Sequence, residues 1–149
     1  MRKVAVSACL LGECCRYDGE TKGVPGVAAA FADAQIIPFC PEAPVLGTPR
    51  ERISVIKTAE GLRVIADESG RDVTALLEAQ TRELIALHPD LEAIVLKSKS
   101  PSCGLGSTPI LGPGRELLGF GNGVAAQMLR DAFPQAEISD ETPFEPKGA

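Results

Sequence analysis

The sequence predicts one α/β domain, in which a mainly parallel, Rossmann-like sheet carries helices on both faces and a small β-hairpin is inserted. Three observations favour this class. Short apolar runs alternate with helix-like segments, the chain of 149 residues has the size of one domain, and no Pro- or Gly-rich linker divides it. Strands separated by helices pair in parallel, and right-handed crossovers place the helices on both faces. We expect the domain to span residues 1–139 and residues 140–149 to form a tail.

The first quarter of the chain supplies two strands and one helix. Residues 3–8 are mostly apolar and rich in valine, which is typical of a strand buried on both faces. Turn residues then lead into the alanine-rich stretch 26–34, for which we expect a short helix, and residues 35–39 form a second apolar run. Two prolines and a glycine lead us to expect no regular structure over residues 43–52.

The middle of the chain supplies the hairpin and the clearest helix. Residues 53–57 and 62–66 flank a Glu-Gly pair, the pattern of two antiparallel strands joined by a turn. Residues 71–87 have apolar positions at helical spacing, and Asp72 is a candidate cap. This segment is therefore expected to form the long crossover helix.

The last third begins with another strongly apolar segment. Residues 91–96 are expected to form the third strand of the parallel sheet. Residues 98–114 are rich in Ser, Gly and Pro and predict a long loop, and residues 119–123, with three glycines, predict a flexible hinge. Residues 124–133 have one apolar helical face, and residues 136–139 are expected to be a fourth strand.

Composition and charge argue against several classes of partner. The net charge is −5 and the 15 basic residues are scattered, so no stripe is available for a nucleic acid backbone. The N-terminal apolar run is too short for a signal sequence or a membrane span, and we expect a cytoplasmic protein without a membrane partner. Because that compartment keeps thiols reduced, the five cysteines indicate metal or thiol chemistry.

Three of these cysteines follow predicted strands of the sheet. Cys9 comes after the first strand, Cys40 directly after the second, and Cys103 lies in the polar loop after the third. In open α/β sheets, ligands bind beyond the carboxyl ends of the strands. We therefore expect three thiols to meet at one sheet edge, where they would suit zinc or an iron–sulfur cluster.

The ligand set has several alternatives at this point. A structural zinc site wants four ligands, and Cys15 is the available fourth, but the paired CxxC pattern of such sites is missing. A cluster on three cysteines would leave one iron open to bind a substrate atom. A cysteine can also be a small buried apolar residue, and this is our interpretation of Cys14.

Polar residues accompany the thiols on two of the loops. Glu42 lies two residues past Cys40, so it is either a proton-transfer group near the metal or a solvated loop carboxylate. Ser100 and Ser102 flank a proline that restricts the backbone, which would hold their hydroxyls near Cys103. Ordinary turn chemistry is the alternative for both serines.

Two lysines precede the serines in the same loop. Lys97 and Lys99 add positive charge that could lower a thiol pKa or hold an anion. A solvated loop is the alternative interpretation for at least one of them.

Taken together, these residues form three blocks in a fixed order. The blocks are Val6-Ser7-Ala8-Cys9-Leu10-Leu11-Gly12 with Cys15-Arg16-Tyr17-Asp18-Gly19, then Cys40-Pro41-Glu42 with Leu46-Gly47-Thr48-Pro49-Arg50, then Lys97 with Ser100-Pro101-Ser102-Cys103-Gly104. In these blocks and their order, the chain resembles the thiouracil desulfurase family over almost its whole length.

The resemblance implies a cofactor and a reaction. The cofactor would be a [4Fe-4S] cluster on Cys9, Cys40 and Cys103, with the fourth iron open; zinc, with Cys15 as a further ligand, is the alternative. The open iron would capture the thiocarbonyl sulfur of a small thiolated nucleobase, 4-thiouracil or 2-thiouracil. Attack by water would then give uracil and sulfide.

The resemblance also implies roles for the neighbouring side chains. Glu42 would be the general acid/base, and Ser100 would orient the water or the pyrimidine. We expect Ser102, Lys99 and Arg50 to contact the substrate. The alternative from another class is a non-catalytic protein with zinc or thiols that binds a small molecule or a partner.

Overall fold

Two four-stranded sheets and four helices make up the part of the chain that the computed structural model describes, residues 2–12, 23–48 and 50–145. The strands are β1 (Lys3–Ser7), β2 (Gln35–Phe39), β3 (Ile53–Thr58), β4 (Gly61–Ala66), β5 (Ala93–Leu96), β6 (Thr108–Leu111), β7 (Leu117–Gly121) and β8 (Glu137–Asp140). The helices are α1 (Pro25–Ala30), α2 (Ala43–Leu46), α3 (Thr74–Leu87) and α4 (Val124–Ala132), with 3₁₀ turns at Ala8–Leu11 and Thr142–Phe144.

The first sheet is entirely parallel and has the strand order β2-β1-β5-β8. Its register aligns the ends of the strands, since Ser7 pairs with Phe39 and Leu96 with Asp140. The loops that follow β1, β2, β5 and β8 therefore leave the sheet at a common edge. The predicted mainly parallel α/β architecture is confirmed.

Side chains along each strand of this sheet point alternately to its two faces, and both faces are buried. Ala5, Ile94 and Leu96 pack with α3 and α4, where Leu84 and Leu129 complete one apolar cluster. The neighbouring residues on the same strands point the other way, toward α1 and the two 3₁₀ turns. Helices therefore cover both faces, as the near-continuous apolar runs predicted.

The second sheet has the order β4-β3-β6-β7 and mixes parallel and antiparallel pairs. The predicted hairpin is confirmed as β3 and β4, but it belongs to this larger sheet. The loop expected over residues 98–114 contains β6, and the hinge expected over residues 119–123 overlaps β7, so both expectations were wrong. Pro109 and the glycines of β7 carry a local loop signal, which the pairing of β6 with β3 and of β7 with β6 overrides.

One helix was not expected from the sequence, and the expected helices differ from the prediction mainly at their ends. The short helix α2 lies within residues 43–52, where we expected no regular structure; Pro44 is tolerated because it occupies the first helical turn. Helix α3 begins at Thr74, whose amide donates to Asp72 Oδ1 over 3.0 Å. No helix in the described ranges is long and apolar enough to cross a membrane.

Residues 140–145, which we expected to begin a tail, pack against the domain. Asp140 pairs with Leu96 as the last residue of β8. The Phe144 ring lies 5.7 Å from that of Phe31, measured between ring centroids. Glu141, which lies between Asp140 and Phe144 in the sequence, is buried, with only 5% of its surface exposed.

Candidate active site at the sheet edge

The carboxyl ends of the parallel strands open on a cleft of about 1080 Å³. Cys9, Cys40 and Cys103 all line this cleft, together with Glu42. Side chains of β3 and β6 form the opposite wall, so the cleft lies between the two sheets. The three thiols, which strand order alone predicted to share a sheet edge, thus line one cleft.

Each cysteine is held by the backbone that follows its strand. Cys9 lies in the 3₁₀ turn after β1, which ends at Gly12 with φ of 95°, in the left-handed region that suits glycine. Cys40 directly follows β2, and its Sγ accepts a hydrogen bond from the Ala43 amide over 3.3 Å. Cys9 and Cys103 are buried and Cys40 is half-buried.

The surroundings of Cys103 disfavour its ionised form. Burial raises the pKa of this thiol, and the Glu42 carboxylate and the sulfur atoms of Cys40 and Cys9 raise it further, against a hydrogen bond from Ser102 that lowers it. A thiolate here would need a neighbouring positive charge. A bound metal supplies that charge, because it displaces the thiol proton on binding.

The donors that line the cleft are sulfur atoms, which suit zinc or an iron–sulfur cluster. In the described ranges, no three His, Cys, Asp or Glu side chains form a group that could hold one metal ion. A zinc ion would require its sulfur ligands to converge to about 2.3 Å from one point. In a [4Fe-4S] cluster each thiolate binds a different iron. Cys14 and Cys15, including the alternative zinc ligand, lie outside the described residues.

Glu42 is a buried, paired carboxylate and not a solvated one. Its side chain is 11% exposed, and Arg50 Nη2 lies 3.1 Å from Oε1. The other oxygen, Oε2, accepts a hydrogen bond of 2.6 Å from Ser102 Oγ. Arg50 is fixed in turn by the carbonyl of Gly47, 2.9 Å from its Nη1. The carboxylate is therefore held in one position from both sides.

The serine loop folds around the Ser100 hydroxyl. Ser100 Oγ accepts hydrogen bonds from the amides of Cys103, at 3.0 Å, and Ser102, at 3.3 Å. Thr108 Oγ1 of β6 donates to the Ser100 carbonyl over 2.7 Å. The Ala125 amide, in the first turn of α4, donates to the Ser102 carbonyl over 2.8 Å. The helix start and the second sheet thus both hold the loop that carries Cys103.

The three residues expected to contact a substrate differ in what they face. Ser102 is completely buried and Arg50 is nearly so, and the polar groups of both reach Glu42. Lys99 is exposed on the cleft wall, with φ of 63°, and its amide donates to Ser107 Oγ over 2.9 Å. Of the three, only Lys99 leaves a charged group available to a ligand.

A further acidic residue, Glu141, joins the site from the end of β8. Its carboxylate accepts from the Ser98 amide at 2.7 Å, from the Ser98 hydroxyl at 2.8 Å and from Lys97 Nζ at 3.1 Å. Sequence reasoning missed it, although it directly follows a strand of the parallel sheet, as Cys40 does. Lys97 lines the cleft, but its ammonium group is paired with Glu141 and is therefore not an open anion site.

Comparisons with a family model, with a curated protein and with a solved structure each found a protein or family similar to this chain. The model of the 2-thiouracil desulfurase family matches residues 4–141. The uncharacterised protein YbbK of Bacillus subtilis (strain 168) is 33% identical over 113 residues, which cover 69% of this chain and 74% of YbbK. The solved structure of the [4Fe-4S]-dependent thiouracil desulfidase TudS superposes with a TM-score of 0.72 at 33% identity, covering 96% of this chain and 94% of TudS.

Proposed function

This chain belongs to the 2-thiouracil desulfurase family of sulfur-removing enzymes, and we propose that it hydrolyses a small thiolated pyrimidine at a [4Fe-4S] cluster held by Cys9, Cys40 and Cys103. Thiouracil and water would give uracil and hydrogen sulfide. The reaction exchanges sulfur for oxygen at one carbon, so no external oxidant or reductant is needed.

One observation carries the proposal: three thiols from three neighbouring parallel strands line the same cleft as a buried, paired carboxylate. The thiols are the ligands that a cluster requires, and the carboxylate is the group that hydrolysis requires. Neither set alone distinguishes an enzyme from a metal-binding protein. Their presence in one cleft favours catalysis.

The cluster is proposed because the donor set fits it. The ligands are soft sulfur atoms that line one cleft. A cluster bound through three cysteines would supply an open iron as a Lewis acid for the thiocarbonyl sulfur. The structure of TudS, named as a [4Fe-4S]-dependent thiouracil desulfidase, supports the same cofactor.

The residues of this chain would carry out the proton transfers. Glu42 is the general acid/base: its carboxylate accepts the proton that water loses on attack and returns it to the departing sulfur. Arg50 holds that carboxylate in place through their ion pair. Ser100, which lines the cleft, orients the attacking water or the pyrimidine. Lys99, which is exposed on the cleft wall, would contact the substrate.

Anaerobic reconstitution with iron and sulfide, followed by addition of 4-thiouracil, tests this function. We expect a brown protein with equal amounts of iron and acid-labile sulfide, which releases sulfide and uracil with turnover. A colourless protein that retains one zinc ion per chain would contradict the cofactor. A loaded protein that leaves both 4-thiouracil and 2-thiouracil unchanged would contradict the substrate while leaving the cluster in place.

A further inference from the structure

We propose that Ser7 is a further binding residue of this site, whose hydroxyl donates a hydrogen bond to a sulfur atom of the bound iron–sulfur cluster. This inference rests on the proposed function, because it needs the cluster. It gives Ser7 a part in tuning the cofactor and none in proton transfer. The observation behind it is a buried hydroxyl in the cleft whose hydrogen has no acceptor among the described residues.

Ser7 is the last residue of β1, is 3% exposed and lines the cleft. Its Oγ lies 2.9 Å from the Lys97 backbone nitrogen and accepts a hydrogen bond from that amide. A serine hydroxyl has one hydrogen and accepts as well as donates, whereas a backbone amide nitrogen only donates. The bond to Lys97 therefore leaves the Ser7 hydrogen unused, and the described part of the chain offers it no other partner.

The other hydroxyls that line the described cleft all donate within the protein. Five of them donate over 2.8 Å or less: Ser54 to Asp67, Ser98 to Glu141, Ser102 to Glu42, Thr108 to the Ser100 carbonyl and Thr142 to Asp140. Ser100 Oγ lies 3.2 Å from Ser102 Oγ and donates to it, because the Ser102 hydrogen is directed to Glu42. Ser7 is therefore the exception among the cleft hydroxyls.

The sheet topology places Ser7 among the proposed ligands. Strand β1 lies between β2 and β5 in the parallel sheet. Ser7 pairs with Phe39, the residue before Cys40, and Cys9 follows Ser7 by two residues. The loop that carries Cys103 leaves β5 on the other side. A cluster bound to all three cysteines would therefore lie next to the end of β1, where sulfur atoms are the acceptors that it offers.

A hydrogen bond from Ser7 would have a definite electronic effect. A buried hydroxyl hydrogen without an acceptor is unfavourable, so a cluster sulfur would satisfy a donor that the protein leaves unpaired. Hydrogen bonds to the sulfurs help to set the reduction potential of a cluster. They stabilise the reduced, more negative state more than the oxidised one, so the Ser7 hydroxyl raises the potential.

Spectroscopy of the anaerobically reconstituted protein, without substrate, tests this hydrogen bond. Electron–nuclear double resonance of the reduced cluster detects nearby protons that disappear after exchange into D₂O. We expect Ser7→Ala to lack one such proton and to have a more negative reduction potential, and Ser7→Thr, which keeps the hydroxyl, to retain both features. Thr81→Val is the control and should change neither, because it removes a fully buried hydroxyl of α3 that is bonded to the Leu77 carbonyl.

A crystal structure of the loaded, unaltered protein checks the contact directly, even if Ser7→Ala fails to fold. The proposal is overturned if Ser7 Oγ lies beyond hydrogen-bond distance of every cluster sulfur, or if a loaded Ser7→Ala variant keeps the proton and the potential, whether or not sulfide is released. Loss of the proton in Ser7→Ala from a protein that does not turn over thiouracil would contradict the proposed reaction and support the role of Ser7. A chain that binds zinc and no cluster would overturn both.

Discussion

Arg50 and Glu42 form an ion pair of 3.1 Å in which the two side chains are only 6% and 11% exposed. The guanidinium approaches the same carboxylate oxygen with two nitrogens, the second at 3.4 Å. Because both charges are buried, neither can be removed without leaving the other unpaired beside the thiols.

Arg50→Ala should therefore reduce both stability and activity. Breaking a buried pair by removing one partner costs about 3–5 kcal/mol in the free energy of unfolding, which denaturant titration would measure. Arg63→Ala is the matched control, since its partner Asp72 lies at 2.8 Å but the two side chains are 33% and 40% exposed. That exposed pair should contribute much less to the free energy of unfolding, because solvent screens it. Equal losses in both variants would show that the Arg50 pair is not effectively buried.

Replacement of any one of the three proposed cluster ligands should remove iron. We expect the variants Cys9→Ala, Cys40→Ala and Cys103→Ala to hold much less iron than the unaltered chain after anaerobic reconstitution. A cluster held by only two thiolates should dissociate more easily. Cys14→Ala is the control and should load normally. Iron analysis and the visible spectrum report the outcome, and full loading of any of the three variants would exclude that cysteine as a ligand.

The Glu141 contacts predict an acid-sensitive contribution to stability. Burial acts to raise the pKa of this carboxyl, but hydrogen bonds from Ser98 and Lys97 outweigh it, so the pKa lies below its ordinary value of 4.5. The folded state therefore keeps the carboxylate ionised at a lower pH than the unfolded chain does. The contribution is present above pH 4.5 and is lost as pH falls below it.

Unfolding of the iron-free protein in urea, at neutral pH and below pH 4.5, checks this expectation. Glu141→Gln should be less stable than the unaltered chain at neutral pH, and the difference should shrink in acid. A difference that is independent of pH would mean that the charge of Glu141 contributes nothing to stability.

Gly104 is needed for close approach within the cysteine loop. A Cβ at this position would overlap Thr108 Oγ1 and would lie 2.8 Å from the Ser100 carbonyl oxygen. Gly104→Ala should therefore cost about 1–3 kcal/mol, as overpacking does, and should lower cluster loading. Gly121→Ala is the control, because its Cβ would meet Ile110 at 3.5 Å, an ordinary contact. If Gly104→Ala is as stable and as well loaded as that control, the loop is more adaptable than its contacts indicate.

Prediction from sequence succeeded where the signal was local and repeated. The runs that became β1, β2 and β5 are continuously apolar because both faces of each strand are covered, and the helical spacing of α3 and α4 was equally readable. It failed for β6 and β7, whose proline and glycines indicate loops. Strand β6 forms because it pairs with the distant β3, Val55 with Ile110 among the pairs, and β7 in turn pairs with β6. No local pattern records the pairing of β6 with β3.

The amino-acid sequence by itself determined the parallel sheet and, through it, the meeting of Cys9, Cys40 and Cys103, because residues that follow neighbouring parallel strands share one edge. The tertiary structure alone decided which polar groups those thiols meet. That Ser102 donates to Glu42, and that Glu141 pairs with Lys97, depends on side-chain directions and burial between segments dozens of residues apart. Hydrogen bonds act over about 3 Å, so their partners are settled only when packing has brought the chain together.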